Sequence, residues 1–277
     1  MYNILVMNIL ICGNNNWLSK YLEEAFEEVN IKTGKTFYPI NSNEILSEIL
    51  QNRFTNVVFC DNFFNNFEIN SKIKNLNDNL NHNLYSPIKI AFFCQLYKIH
   101  FTYIGSGDIY NFDENLQEDF NEENEPNFKN NDTNIILGFT DRILKFTEGL
   151  NLRIPKPISE DIKEKENYIN QLLHKTKIGN VKTSVSILND LIPIIINLIK
   201  NQETGTYNIC NEGTISDNEI LELYKKYVDK NFKWKFIKDY RDENIPYNFL
   251  DITLINLKYQ IPNIHNSLEK MLKNLKN

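Results

Sequence analysis

Residues 8–19 read Asn8-Ile9-Leu10-Ile11-Cys12-Gly13-Asn14-Asn15-Asn16-Trp17-Leu18-Ser19. The apolar run 8–12 is closed by Gly13, and amphipathic helix signals follow over 17–29. A strand, a tight turn and a helix are expected there. The alternation continues outward, with short buried runs at 36–40, 56–60, 100–105 and 150–154 predicting strands. Between them, 43–51 reads helical, with Ile45, Leu46, Ile49 and Leu50 on one face. A longer helix is expected over 77–97, where Leu80, Leu84, Ile88, Phe92 and Leu96 repeat every four residues, and another over 134–148. Pro87 should kink the long one. The polar stretch 61–75 reads as a loop or a frayed helix start, and the acidic, Asn-rich stretch 108–131 as an exposed loop over the top of the fold. Strands and helices alternating at these lengths make an α/β protein with a parallel sheet covered on both faces. Such doubly wound sheets take ligands outside the carboxyl ends of their strands.

After Ile154 the pattern changes. Pro155 and Pro157 break the chain, a charged helix is expected over 160–174, and 185–200 reads as a very apolar helix. A strand at 205–210 and helices at 217–228 and 263–276 close the chain. The expected organisation is a core of 7–154 plus 183–212 and a small C-terminal substrate lobe of 155–182 plus 213–277.

Composition narrows the function classes. The 277 residues carry 36 acidic against 30 basic side chains, net −6, which argues against a nucleic-acid partner needing a basic face. A hydrophobic content of 42% excludes wholesale disorder. The 45 Asn residues, with the Lys and Ile richness, read as an AT-rich coding bias. Cys12, Cys60, Cys94 and Cys210 show neither C-x-x-C spacing nor disulfide-scaffold density, so buried reduced thiols are expected and no metal site. The opening twelve residues lack the basic start and small-residue cleavage site of a signal peptide, and no stretch reaches about 18 uninterrupted apolar residues. A soluble cytoplasmic protein with no membrane partner is the expectation.

The turn 13–19 is the natural place for a cofactor phosphate, because helix N-terminal amides attract a pyrophosphate and glycines let it approach. Only Gly13 is present. Asn16 and Ser19 stand where a dinucleotide fingerprint tends to carry small residues, and Asn16 is read as preserving the turn through its tolerance of positive φ. On these residues alone the stretch reads as an ordinary strand–turn–helix or as a phosphate site.

From about Met7 onward the chain resembles the bifunctional nucleotide-rhamnose synthases, the 3,5-epimerase/4-reductases among the extended short-chain dehydrogenase/reductases. The resemblance rests on Gly13-x-x-Asn16-Trp17-Leu18, on 102–106 (TYIGS), 122–128 (EENEPNF), 138–144 (GFTDRIL), 152–159 (LRIPKPIS) and 184–193 (SVSILNDLIP), and on GTYN at 205–208 with SDNEIL at 216–221. It implies a Rossmann-type fold, NAD or NADP as cofactor, and a UDP- or dTDP-4-keto-6-deoxyhexose as the bound nucleotide sugar. Gly13, Asn16, Trp17, Leu18 and Asn83 take the cofactor-side positions. Relatives pair through the helices corresponding to 77–97 and 134–148, which implies a homodimer.

The family reduces a C4 ketone with a Tyr proton donor, a Lys four residues later that acidifies it, and a Ser/Thr on the carbonyl oxygen. A phenol near pKa 10 needs a fixed ammonium to exchange a proton near neutrality. Aligned on 138–144, the Tyr position is Thr133 and the Lys position Leu137. Ser106 keeps the carbonyl-binding position, or simply caps the next turn. The family's epimerase Cys corresponds to Asp108, which reads as a solvated loop residue or as a base able to take a proton α to a ketone. On the substrate side Arg153 keeps the first Arg of the family's R-x-R, the diphosphate Arg aligns with Ile245, and Asn248 persists. No Lys or Arg follows the second expected strand at 41–44, so NAD is preferred over NADP.

Two functions remain: a rhamnose-pathway family member with an eroded Tyr-x-x-x-Lys site and little or no reductase activity, or an active epimerase/reductase with substituted residues. In the second case Tyr110 or Tyr168 is the candidate replacement acid. The clustering of the losses on one cleft favours the first.

Overall fold

The computed structural model describes residues 7–13, 16–36, 38–60, 76–110, 119–128, 132–237 and 250–275. The expectation for 61–75, and those for Asn248 and Ile245, lie outside them.

The chain runs through β1 (Asn8–Cys12), α1 (Trp17–Glu28), β2 (Lys32–Lys35), α2 (Glu44–Gln51), β3 (Asn56–Phe59) and α3 (Leu76–Leu80). A π-helical turn, Asn81–Tyr85, leads into α4 (Ser86–Leu96), followed by β4 (His100–Ser106), α5 (Asp132–Leu144) and β5 (Leu150–Ile154). Then come β6 (Pro157–Ile158), α6 (Tyr168–His174), β7 (Lys182–Thr183), β8 (Ser186–Ile187), α7 (Leu188–Lys200) and β9 (Gly205–Asn208). The chain continues with β10 (Ile215–Ser216), α8 (Asp217–Tyr227), α9 (Thr253–Tyr259) and α10 (Ile264–Asn274).

The main sheet has the order β2-β1-β3-β4-β5-β9, with β1 pairing in parallel to both β2 and β3, and β3 to β4. This is the doubly wound α/β arrangement, and its strand order reverses between β1 and β3.

Several expectations need correction. The second strand lies at Lys32–Lys35, ahead of 36–40, because its register with β1 (Asn8↔Lys32 through Ile11↔Lys35) is set by backbone pairing at the sheet edge. The long helix runs through 76–96 and carries Pro87 inside it behind the π-turn 81–85, where Ser86 N–H reaches back to the Asn81 carbonyl. The charged helix shortens to Tyr168–His174, since Asn167 caps it by accepting from Ile169 N–H while donating to the carbonyls of Ser159 and Asp161. The apolar helix begins at Leu188, after the short strand β8. Of the expected loop, residues 108–110 and 119–128 are exposed only in part: Asp119, Asn121, Glu123, Asn124 and Glu125 are exposed, while Ile109, Tyr110, Phe120 and Glu122 are buried.

Two compact units emerge. One comprises residues 1–105, 131–152 and 195–206; the other comprises 106–130, 153–194 and 207–277. The first is built on a core that includes Leu10, Ile45, Val57, Phe59, Ile90 and Phe101. In the second, Ile169, Ile187, Ile215, Leu221, Leu268 and Met271 lie in the core. All four cysteines are buried thiols, and burial pushes those of Cys94 and Cys210 up to about 12, so they are poor nucleophiles. Among the described residues no helix is long and apolar enough to cross a membrane.

In the first unit His100 opens β4 with Nε2 2.8 Å from the Glu203 carbonyl, while Nδ1 is buried without a partner among the described residues. Burial lowers its pKa below the ordinary 6.5, so the fold holds the neutral ring. The unfolded chain then binds a proton that the folded one refuses. This stabilisation is whole above pH 6.5 and is lost as pH falls through the folded value. Urea unfolding is expected to show stability falling between pH 7 and 5, and falling less in His100→Gln; equal slopes in the two proteins contradict it.

Candidate active site

The strand-order reversal makes the crevice between the ends of β1 and β3 the ligand position of such a sheet. Cys60 N–H donates to the Cys12 carbonyl at 2.8 Å, so the two strand ends stay paired past β3. Gly13 is required by packing there: a Cβ on it would stand 2.6 Å from Cys60 Sγ and 3.0 Å from Ser19 Cβ.

Asn16 spans this crevice. Its φ is −65°, an extended N-cap conformation, so the expected use of its tolerance for positive φ is corrected. Its Oδ1 accepts from Ser19 N–H at 2.8 Å and its Nδ2 donates to the Cys60 carbonyl at 2.7 Å. Ser19 Oγ returns to the Asn16 carbonyl at 2.8 Å. One of the helix N-terminal amides that a phosphate would use is therefore already taken by the carboxamide. Trp17 and Leu18 are buried, Trp17 edge-on to Tyr21.

The second strand ends at Lys35, whose ammonium pairs with Glu23 at 2.8 Å. The loop at 41–42 receives a cation that local sequence did not announce: Lys89 of α4 donates to the carbonyls of Asn41 and Ser42 at 3.1 and 2.8 Å. Burial lowers the Lys89 pKa. The basis for preferring NAD over NADP, an absence of cations at this loop, is removed.

Further along the first unit, α5 packs on α4 and the π-turn. Thr133 Oγ1 accepts from Asn79 Nδ2 at 3.1 Å, and Asn83 Nδ2 donates to Asn79 Oδ1. Thr140 Oγ1 donates to the Asn83 carbonyl. Asn83 Oδ1 is buried without a partner among the described residues. Leu137 is 3% exposed, so the position that would carry the ammonium is an apolar core position. Ser19 N–H is thus engaged by the Asn16 carboxamide, and a buried leucine stands at 137.

The second unit holds Ser106, Asp108 and Arg153. Ser106 Oγ accepts from Asp108 N–H at 2.9 Å, the turn-capping geometry, and its own proton remains available. Arg153 is fully buried; its guanidinium donates to the carbonyls of Asn121 and Glu122 at 3.4 and 3.3 Å and lies 5.5 Å over the Tyr110 ring. Asn208 donates its backbone N–H to Glu122 Oε1 at 3.0 Å and its side chain to the Phe120 carbonyl at 3.1 Å. Together these pin the segment 119–128 inward.

Neither proposed replacement phenol is poised as an acid. Tyr110 is buried and donates to the Asn124 carbonyl at 2.9 Å. Tyr168 donates to Asp217 Oδ1 at 2.5 Å, and burial together with that carboxylate raises its pKa well above 10. Among the described residues no cluster of His, Cys, Asp and Glu could hold a metal ion.

If the Asn16 carboxamide closes the turn, Asn16→Ala should lose about 1–2 kcal/mol in urea unfolding, the cost of a cap with its second hydrogen bond. An unchanged midpoint would show that the carboxamide does not hold the turn.

No protein-family model matches the chain. Individual relatives do. The chain is 32% identical over 240 residues to protein L780 of Acanthamoeba polyphaga mimivirus, covering 83% of each. It is 33% identical over 158 residues to the bifunctional dTDP-4-dehydrorhamnose 3,5-epimerase/reductase of Arabidopsis thaliana, spanning 56% of this chain and 52% of that relative. The crystal structure of the L780 UDP-rhamnose synthase superposes on 96% of the chain and 99% of its own, with a TM-score of 0.85 and 28% identity. The NADP-bound dTDP-4-dehydrorhamnose reductase of Bacillus anthracis shares the fold, at a TM-score of 0.78 and 19% identity. With its Rossmann-type sheet and a relative matched over most of both lengths, the chain belongs to the nucleotide-rhamnose synthase family of epimerase/reductases.

Proposed function

We propose that this chain is a rhamnose-pathway protein that binds a UDP- or dTDP-4-keto-6-deoxyhexose and has little or no 4-ketoreductase activity. The observation that carries the reading is the state of α5. Where the family needs a phenol and an ammonium one helical turn apart, Thr133 accepts a hydrogen bond from Asn79 and Leu137 is buried. An aliphatic hydroxyl is a far poorer acid than a phenol, and a buried leucine offers neither charge nor donor to lower its pKa. The capped turn at Asn16 supports the same reading, because a dinucleotide would have to displace the carboxamide from Ser19 N–H.

The protein acts in the reducing cytoplasm, where its buried thiols stay reduced. A second copy of the chain is its partner. Support for that assembly comes from the first unit's exposed apolar side chains on α4 and α5, among them Phe92, Leu96 and Phe139.

Calorimetry with NADH, NADPH, UDP and UDP-4-keto-6-deoxyglucose tests this function. Binding of the nucleotide sugar with no micromolar binding of either dinucleotide is expected; micromolar NAD(P)H binding revives the active reductase. The double substitution Thr133→Tyr plus Leu137→Lys should leave reduction undetectable until Asn16→Gly is added. Full activity from the double variant alone would show that the turn is not closed.

A further inference from the structure

In the second unit, residues 235–237 run parallel to Ile178. Ile178 N–H donates to the Lys235 carbonyl at 3.1 Å and Ile237 N–H to the Ile178 carbonyl at 2.9 Å. A parallel ladder leaves the residue between two bonded ones with its N–H and C=O turned to the opposite edge. Phe236 is that residue. Neither it nor Trp234, two positions earlier, has a backbone partner among the described residues. The stretch has one edge paired and the other open.

Its side chains sort by face. The rings of Phe232 and Trp234 stack at 5.9 Å, as side chains two apart do on one side of an extended chain, and Tyr224 meets Phe232 edge-on at 5.4 Å. Trp234 is fixed by Nε1, which donates to Asn218 Oδ1 at 3.0 Å, and by Lys225, whose ammonium lies 5.7 Å from the centre of the ring. Phe236 continues the row and is 45% exposed. Lys233 and Lys235 alternate with the aromatics and are exposed, as is Lys177 beside Ile178. Among the described residues none of these lysines has a carboxylate at ion-pair distance, whereas Lys175, Lys182, Lys226 and Lys273 of the same unit do.

Exposed lysines on a strand edge discourage a second copy of the same strand, because like charges would stand opposite one another. The same charges favour a strand of opposite sign. An incoming extended chain places alternate residues beside Lys233 and Lys235 and the intervening ones beside Trp234 and Phe236. Carboxylates at every second position, with apolar side chains between them, match both faces. The backbone of such a chain also satisfies the open N–H and C=O groups, which a lipid surface drawn by the lysines alone would leave unused.

We propose that this edge is a docking site for another protein, which adds an extended segment of alternating acidic and apolar residues as a strand beside 234–236. Docking there is independent of whether a keto sugar binds.

The test is fluorescence anisotropy with a labelled, end-capped peptide of alternating Glu and Val about ten residues long, enough to span the edge, combined with amide hydrogen exchange on the full chain. The peptide should bind, more weakly as salt rises, and should slow exchange of the Trp234 and Phe236 amides. A block peptide with all its Glu before all its Val has the same charge without the alternation, and should bind about tenfold more weakly or worse. Lys233→Glu plus Lys235→Glu alters only exposed side chains; it should weaken the alternating peptide about tenfold or more and admit a Lys-Val counterpart. Absence of Glu-Val binding to the wild type overturns the proposal. Equal binding of the block peptide overturns it too, as does binding that leaves the Trp234 and Phe236 amides unprotected. Phosphatidylserine vesicles that bind the wild type and displace the peptide would overturn it in favour of a lipid surface.

Discussion

A parallel sheet delivers the carboxyl ends of its strands to one edge, and everything chemical in this protein follows from that constraint. Each strand spends its backbone hydrogen bonds on its neighbours, so the loops leaving that edge are where side chains can differ without unfolding the molecule. Two side chains beyond strand ends show that freedom. At the end of β1, the Asn16 carboxamide joins Ser19 N–H to the Cys60 carbonyl. Past the end of β5, Lys156 donates from Nζ to Thr183 Oγ1 and lies over the Tyr168 ring.

In the first unit α5 carries Thr133 and Leu137 at the positions aligned with the family's Tyr and Lys. With Leu137 in place of an ammonium, α5 buries an apolar side chain where a charge would demand a partner. Thr133 remains tied to Asn79, and through it to Asn83, so the polar contacts between the π-turn and α5 persist as structure. Asn83 Oδ1 is the exception, buried and without a partner among the described residues.

What the sequence revealed depends on where apolar side chains go. β1, β3, β4 and β5 are buried on both faces and announce themselves as apolar runs, so the sheet and the family were legible. β2 was misplaced because Lys32-Thr33-Gly34-Lys35 buries almost nothing: it is an edge strand held by its ladder with β1. The shortened helix before His174 was hidden because Asn167 acts through three hydrogen bonds that composition does not reveal. At the site, Thr133 and Leu137 were visible as departures from a motif. Lys156 and Lys89 were not, since their contacts are with residues 27 and 47–48 positions away. The inward pull on 119–128 was missed for the same reason, because Arg153 and Asn208 reach it from distant strands.

In the proposed function, keto-sugar binding has outlived hydride transfer. Incubating UDP-4-keto-6-deoxyglucose with 4-deuterated NADH and with 4-deuterated NADPH, and following the label to sugar C4, addresses this directly. Unlabelled sugar recovered with its ketone intact is the predicted result; UDP-rhamnose carrying deuterium at C4 would contradict it.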